Sequence, residues 1–192
     1  MVVAEKVRVD FGGIGRHGDW TTVNLDAQLR MPPNIIANIT AHAGQLDEHF
    51  PINYIDEARC VHTLEHLPAW DIVPTLYYWR KFMKRGAKLL IVVPDLGQLA
   101  RDYAMGLIPM EVLAAVAYVP ASRTKPRPLE EHRWGWDAQT LSDTLLRAGY
   151  RAIRAGTDED WPATWMLDFE ECEPTGLVGK YEVPNLRMVG FA

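Results

Sequence analysis

Residues 7–26 read VRVDFGGIGRHGDWTTVNLD, and the fold is decided in this stretch. A short run of β-branched and apolar residues leads into closely spaced glycines, and a second such run ends at Asp26. Glycines allow a backbone to turn sharply and to approach a ligand without a Cβ in the way. A carboxylate after the second strand can accept hydrogen bonds from both hydroxyls of a ribose. The stretch therefore predicts a strand, a tight turn at a nucleoside-binding site, and a second strand.

The rest of the chain alternates between strand and helix patterns. Seven short apolar or β-branched runs predict strands, at residues 6–11, 22–26, 35–39, 57–62, 88–93, 150–155 and 187–191. A period of three and four residues predicts a helix over 69–84 that Gly86 ends, and a second helix that follows Asp137 as its N-cap and stops at Gly149. This second helix should bury Leu141, Leu145 and Ala148. The alternation predicts an α/β fold, a doubly wound parallel sheet that binds ligands beyond the carboxyl ends of its strands.

The composition suits a single domain over residues 1–192, because 48% of the 192 residues are hydrophobic, enough for one substantial core.

Two segments fit the alternating pattern of strands and helices less well. Residues 107–119 are apolar nearly all round and predict either a buried helix or part of a cover over an acceptor region at 107–136. Residues 158–184 are acidic and aromatic without a period, so we expect an irregular insertion over 156–186, before the last strand.

Charge and cysteine content narrow the class of protein. A formal net charge of −5 disfavours the basic surface that binding of nucleic acid needs. The two cysteines, Cys60 and Cys172, are far apart, so we expect no metal site and a reducing compartment. The first residues lack a basic segment followed by an apolar core, and no apolar run approaches the ~18 residues of a membrane span. We therefore expect a soluble, cytoplasmic protein with a small-molecule or protein substrate and no membrane partner.

Five sequence fragments are specific through their common order and spacing. They are DFGGIG at 10–15, VNLD at 23–26, HTLEHLP at 62–68, KRGAK at 84–88 and HRWGWD at 132–137. They resemble the segments N-L-G-C-G, N-V-D-L, H-V-L-E-H-L, K-P-G-G-R and H-R-S-G-W-D of the class I S-adenosylmethionine (SAM)-dependent methyltransferases, in their type 11-like family. The resemblance spans residues 7–155. It implies a Rossmann-like fold, a doubly wound, mostly parallel seven-stranded sheet with helices on both faces.

The resemblance implies that SAM is the cofactor and S-adenosylhomocysteine (SAH) the product. The implied cofactor-binding residues are Asp10 at the ammonium group, Gly12, Gly13 and Gly15 at the methionine end, Asp26 at the ribose, Asn38 and Ile39 at the adenine, and His62 to Leu64 beside the sulfonium. Two positions depart from the family pattern. Ile14 stands where a second glycine is expected, so the turn could be reframed onto Gly13 and Gly15, and Asn38 stands where the family often has an aspartate. A capped turn or a packed strand end is the alternative role for each residue.

Methyl transfer to a small-molecule or glycan acceptor, at oxygen, is the implied reaction. Such an enzyme mainly aligns the acceptor with the methyl carbon, and a hydroxyl acceptor can also need a base. His62 is the best candidate for that base and His66 is a second, with cofactor contact and anchoring of the next helix as their respective alternatives. Substrate-binding residues are expected to be His132, Trp134 and Trp136, whose aromatic faces could stack on a sugar, a ring or a cation, unless they pack the core.

Two other functions stay open. The chain could bind the cofactor without activity and serve as an assembly partner, with residues 107–119 pairing it to a second copy in a homodimer. It could also be an NAD(P)-dependent oxidoreductase, because GIGRHG at 13–18 matches G-x-G-x-x-G and YYWRK at 77–81 matches Y-x-x-x-K. The glycine pattern of such enzymes opens a helix and has its acidic residue ~20 residues later. Asp26 comes too soon for that pattern.

Overall fold

The computed structural model describes residues 6–13, 18–25, 33–118, 131–157, 159–160 and 183–192. Its seven strands are β1 (Arg8–Phe11), β2 (Trp20–Asn24), β3 (Ile35–Ile36), β4 (Ile55–Val61), β5 (Met83–Pro94), β6 (Arg151–Ala155) and β7 (Asn185–Phe191). The α-helices of the described residues are α1 (Ala69–Phe82), α2 (Leu96–Ala104), α3 (Met110–Tyr118) and α4 (Ala138–Arg147). Short 3₁₀ turns lie at Ala41–Ala43, Gln45–Glu48 and Leu64–His66.

All seven strands belong to one sheet, in the order β3-β2-β1-β4-β5-β7-β6. The strands from β1 to β5 run parallel to one another, whereas β7 is antiparallel to both β5 and β6. The prediction of a mostly parallel, seven-stranded α/β sheet is therefore confirmed. The chain winds outward from β1 to β3 and then returns to β4, so the winding reverses between β1 and β4. Doubly wound sheets bind ligands at such a switch point, beyond the carboxyl ends of the strands.

The main core lies between one face of the sheet and helices α1 and α4. Phe11 of β1 and Ile91 of β5 pack there with Leu76 of α1 and Leu145 of α4. Because side chains alternate along a strand, the intervening residues point to the opposite face. That face has a smaller apolar cluster, whose members all come from strands and are Val61, Leu90, Val92, Val189 and Phe191.

Trp79 of α1 connects this core to the strand that opens the fold. Its ring is fully buried and stacks on Phe11 of β1, with the ring centroids 4.4 Å apart. Its Nε1 donates a hydrogen bond to the carbonyl oxygen of Ile39, 2.8 Å away. From the sheet-facing side of α1, this one side chain thus contacts both β1 and the segment after β3. Its burial therefore sets the position of the turn after β1 relative to the helix.

Charged side chains form a row across the opposite face of the sheet. Glu57 of β4 lies 3.1 Å from Arg8 of β1 and 2.9 Å from Lys88 of β5. Lys88 lies 3.5 Å from Asp160, which Arg154 of β6 contacts at 2.6 Å. Hydrogen bonds from Arg154 hold the pKa of Asp160 well below its ordinary value. The row therefore links β1, β4 and β5 and reaches across β7 to β6.

The end of α1 differs from its predicted position. The helix ends at Phe82 rather than at Gly86, because Met83 already pairs with Ile55 as the first residue of β5. Gly86 instead has a φ of 78° within β5. A local cap signal was outweighed here by strand pairing with a residue distant in sequence.

The start of α4 agrees with its prediction. Asp137 is the N-cap and accepts a hydrogen bond from the backbone N–H of Thr140 at 2.7 Å. The predicted apolar stripe is buried, and Gly149 follows the helix with a φ of 90°. This helix is confirmed because its signals all lie within a few residues of its ends.

Helices α2 and α3 lie between β5 and α4. The sequence patterns did not predict α2, which begins after Asp95, whose side chain accepts from the N–H of Gln98 at 2.8 Å. Helix α3 lies in the apolar segment 107–119 and buries one side only, through Val112 and Val116. Parts of the predicted acceptor cover and insertion, residues 119–130, 158 and 161–182, lie outside the described residues. Among the described helices, none combines the length and the hydropathy that a membrane span requires.

Trp79→Ala should lower the free energy of unfolding by about 3–5 kcal/mol, because it leaves a cavity and removes the hydrogen bond to Ile39. Trp70→Ala is the matched control on the same helix. Trp70 is 80% exposed, so its loss should change stability by less than about 0.5 kcal/mol. Urea unfolding followed by circular dichroism measures both variants. Equal losses for the two would contradict the assigned core.

Candidate functional site

The turn after β1 lies at the switch point of the sheet. Gly12 has a φ of 87°, which glycine adopts without strain. Its N–H donates to the carbonyl oxygen of Val23 in β2, and its own carbonyl oxygen accepts from Nδ2 of Asn24, both at 2.7 Å. Strand β2 therefore holds the turn from the side. Asn24 was not among the residues singled out from the sequence, although an amide at a strand end beside a glycine turn is a signal for this role.

The same turn packs directly against the loop after β4. A Cβ on Gly12 would lie 2.2 Å from Oγ1 of Thr63, and a Cβ on Gly13 would lie 2.5 Å from Cγ of Asp10. Both distances are far below van der Waals contact, so neither position accepts a side chain. Contacts within the protein therefore require these glycines, whether or not a ligand does. The carboxyl ends of β1 and β4 are held together as a result.

Asp10, the acidic residue before the glycines, pairs with a buried arginine. Arg59 of β4 lies opposite Asp10 in the sheet, with Nε and Nη2 each 2.7 Å from Oδ2 of the carboxylate. The guanidinium also lies over the ring of Trp20, 4.5 Å from its centroid. A cation this close compensates the carboxylate charge and weakens its attraction for an ammonium group. The role of Asp10 at the cofactor stays a prediction, and Arg59 was not foreseen.

His62 lies at the carboxyl end of β4 in a strained conformation. Its φ of 46° is in the left-handed region, which non-glycine residues adopt rarely and which clusters at functional sites. Its N–H donates to the carbonyl oxygen of Val92 in β5 at 2.9 Å. Nδ1 of its ring lies 3.3 Å from Oε1 of Glu65. The predicted catalytic residue is thus located beside the glycine turn and next to a carboxylate.

Three titratable side chains meet beside His62. Glu65 and His66 belong to the 3₁₀ turn after β4, and His132 comes from the loop before α4. One ligand atom from each lies within 4.8 Å of the others, and the two imidazole centroids are 4.9 Å apart. Nδ1 of His66 lies 3.2 Å from the carbonyl oxygen of Glu131, and its anchoring of α1 stays a prediction. Both histidines were predicted as site residues, but their contact was not predicted.

Burial and charge set the protonation of this cluster. Burial alone would raise the pKa of the Glu65 carboxyl, but the imidazoles of His62 and His66 bring it below its ordinary value. Burial lowers the pKa of His132, although Glu65 opposes this effect. At neutral pH the cluster therefore combines an ionised carboxylate with a neutral imidazole.

The solved structures similar to this chain include several SAM-dependent methyltransferases. One from Archaeoglobus fulgidus has a TM-score of 0.55 at 13% identity, over 98% of this chain and 87% of that protein. Another, from Thermotoga maritima, has a TM-score of 0.54 at 15% identity, over 99% and 84%. The 1,6-didemethyltoxoflavin-N1-methyltransferase of Burkholderia thailandensis, solved with 1,6-didemethyltoxoflavin and SAH, has a TM-score of 0.51 at 12% identity, over 97% and 71%. The chain has the class I methyltransferase fold. No model of a protein family matches the sequence, and no curated protein matches it significantly.

In this class I methyltransferase fold, the residues predicted at the adenine are engaged in internal contacts. Oδ1 of Asn38 accepts from the N–H and the Oγ1 of Thr40, at 3.0 and 2.7 Å. The backbone N–H of Asn38 donates to Oε1 of Gln45 at 2.6 Å. Ile39 is buried in the main core. Because a carbonyl oxygen has two lone pairs, an adenine amino group would have to displace Thr40. The adenine role of both residues stays a prediction.

The remaining predicted site residues differ in their exposure to solvent. Trp134 is 42% exposed, whereas Trp136 is 1% exposed and belongs to the main core. Trp134 is therefore the member of the pair whose face can stack on a bound molecule. Leu64 is fully buried, so its side chain packs the core. Gly15 and Asp26 lie outside the described residues.

Gly12→Ala should lower the free energy of unfolding by about 2–5 kcal/mol, because it adds the strain of a positive φ to a collision with Thr63. Gly18→Ala isolates the strain, since Gly18 has a φ of 58° and, among the described residues other than its chain neighbours, no atom lies within 4 Å of an added Cβ. We expect it to cost about 1–2 kcal/mol. Urea unfolding compares the two. A cost for Gly12→Ala no larger than that for Gly18→Ala would show that the turn does not pack on Thr63.

Proposed function

We propose that this chain is a SAM-dependent methyltransferase that acts on an oxygen atom of a small-molecule or glycan acceptor. The observation that supports this most strongly is the position of the Gly12 turn. It lies at the switch point of the sheet, beside the strained His62 at the end of the neighbouring strand β4. The class I fold adds support, because the similar Burkholderia thailandensis enzyme was solved with bound SAH.

The residues that would hold the cofactor follow three neighbouring strands. Gly12 and Gly13 would contact the methionine part, Asp26 the ribose diol, and Asn38 with Ile39 the adenine. The backbone turn and the acidic Asp26 fit this role. The fit is incomplete at Asp10 and Asn38, because Arg59 and Thr40 engage their oxygen atoms. When bound, SAM supplies an electrophilic methyl group on a sulfonium.

The residues beside the turn would align the acceptor. Glu65 lies against Nδ1 of the His62 ring, which leaves Nε2 as the nitrogen that can contact an acceptor hydroxyl. His62 would then either orient that hydroxyl or accept its proton. The exposed ring of Trp134 would stack on the acceptor and help to exclude water.

A cofactor-binding protein without activity is the second candidate. The Arg59 charge that neutralises Asp10 and the internal hydrogen bonds of Asn38 do not separate it from an active enzyme, because both affect binding of the cofactor. Helix α3 could contact a second copy, because Met110 and Tyr118 are 49% and 79% exposed. In this case the chain would act as an assembly partner.

The oxidoreductase hypothesis has little structural support. Tyr77 is 64% exposed on α1. A catalytic tyrosine is expected inside a substrate pocket instead. Lys81 forms an ion pair with Asp47 in the 3₁₀ turn Gln45–Glu48, and it lowers the pKa of that carboxyl. Lys81, the lysine of the Y-x-x-x-K pattern, therefore helps to attach that turn to α1.

Two measurements test the three functions. Calorimetric titration should detect SAH binding at micromolar strength and no response to NADH, and the reverse ranking would remove both methyltransferase-like proposals. Incubation with labelled SAM and a metabolite extract should then give a labelled product. Repeated absence of product from a protein that binds SAH would favour the inactive partner.

Asp26→Ala should weaken SAH binding by ~10-fold to 100-fold, because hydrogen bonds from the ribose to a charged acceptor contribute about 1.5–3 kcal/mol. Asp19→Ala is the matched control, since Asp19 is an exposed carboxylate at the opposite end of β2 that pairs with Arg8. Its SAH affinity should stay within about twofold of that of the unmodified chain. Calorimetry measures both, with circular dichroism as the check on folding. Unchanged affinity in a folded Asp26→Ala protein would disprove the ribose assignment.

A further inference from the structure

Glu65, His66 and His132 form a cluster of potential metal ligands. A carboxylate and two imidazoles come together here from the end of β4 and the loop before α4, with one ligand atom of each within 4.8 Å of the others. The carbonyl oxygen of Glu65 accepts hydrogen bonds from the N–H groups of Arg133 and Trp134, at 2.7 and 3.2 Å. These bonds hold the loop of His132 against the turn that contains the other two residues. The three side chains are therefore brought together by the fold itself.

The Glu65 carboxylate lacks a hydrogen-bond donor. Its residue is 1% exposed, and neither oxygen makes a hydrogen bond within the described part of the chain. The His62 ring lies beside it, with Nδ1 3.3 Å from Oε1 but without hydrogen-bond geometry. A buried carboxylate is costly unless it is paired or binds a metal. Glu65 therefore needs a positive charge that the neighbouring protein groups supply only in part.

The two imidazoles are oriented by backbone carbonyl oxygens. Nδ1 of His66 lies 3.2 Å from the carbonyl oxygen of Glu131, and Nδ1 of His132 lies 2.5 Å from that of Val116. A carbonyl oxygen only accepts hydrogen bonds, so each Nδ1 donates, and in a neutral ring Nε2 keeps its lone pair. Histidines that bind metals typically donate their other N–H in this way, which fixes the tautomer and the ring orientation.

We propose that Glu65, His66 and His132 bind a divalent transition-metal ion, with Zn²⁺ as the best match. Two imidazoles and one carboxylate are a ligand set that suits Zn²⁺, and related sets bind Fe²⁺. Ligand atoms of a tetrahedral zinc site are about 3–3.5 Å apart, so side-chain shifts of roughly 1 Å would close the present cluster around an ion. Three protein ligands leave at least one coordination position for water or for a substrate atom.

The proposed metal site would lie beside His62, the candidate base for the acceptor hydroxyl. If the proposed methyl transfer is correct, an acceptor hydroxyl could bind at the open position, where the metal lowers its pKa. His66 would then serve as a ligand and not as a base. This catalytic role rests on the proposed function, whereas binding of the metal does not.

Metal binding can be measured without cofactor or acceptor. Untagged protein, freed of metal with a chelator, is titrated with Co²⁺ and then with Zn²⁺. We expect one equivalent of Co²⁺ to give visible d–d absorption without the intense near-ultraviolet band of a thiolate ligand, and one equivalent of Zn²⁺ to displace it. Zn²⁺ should also raise the melting temperature, because it binds the folded state. Absence of a saturable site for both ions would overturn the proposal.

Substitutions locate the site. Loss of a group that only supports the ligands typically weakens metal binding by ~10-fold to 100-fold. Glu65→Gln and His132→Ala each remove a ligand, so each should weaken Zn²⁺ binding by more than this. Glu65→Gln keeps the shape of the side chain and removes a buried charge, so it should fold even if His132→Ala does not. His42→Ala is the matched control, because the exposed His42 pairs with Asp71 away from the cluster, and it should bind Zn²⁺ normally.

The outcomes distinguish failure of the proposed metal site from failure of the proposed methyl transfer. Normal Zn²⁺ binding by a folded Glu65→Gln protein would refute the metal site, whatever the methyl-transfer assay shows. Loss of binding in Glu65→Gln but not in His42→Ala would support it, even if no methylated product is found. Loss of product formation on chelation, with SAH affinity retained, would support a metal that acts on the acceptor.

Discussion

The contact between the turn after β1 and the loop after β4 is the constraint on which the candidate site depends. Gly12 and Thr63 approach so closely that no side chain fits between them. This contact holds the carboxyl ends of two neighbouring parallel strands together at the point where the winding of the sheet reverses. Because protein interiors are densely packed and deform little, the position of the glycine turn also determines where His62 and the following 3₁₀ turn lie.

Buried charges at this edge of the sheet are compensated locally. Asp10 is neutralised by Arg59 on the adjacent strand, and Glu65 is surrounded by imidazoles. A buried carboxylate without such partners would be strongly destabilising, so each pairing contributes to the stability of the fold. The two cases differ in one respect. The Asp10 charge is matched by a full guanidinium charge, whereas Glu65 faces rings that carry a charge only when protonated, and an ion would complete the balance.

Local patterns predicted most of the fold. Seven strands and α4 were found because their signals, short apolar or β-branched runs and the Asp137 cap, lie within a few positions of each other. The errors arose where a distant residue decided the outcome. Helix α1 stops before Gly86 because Met83 pairs with Ile55. Trp136, expected at the acceptor, is instead buried in the main core, in a segment that pairs with Asp95.

The sequence by itself determined the alternation of strands and helices, the glycine turn and the histidines at the end of β4. These depend on backbone preferences and on contacts between near neighbours in the chain. Only the tertiary structure decided that Arg59 pairs with Asp10, 49 positions away, and that His132 meets Glu65 and His66. Such contacts follow from strand register and from the path of a long connection, and neither is encoded by the residue types within a short window. The charge balance of the site is therefore a property of the folded chain.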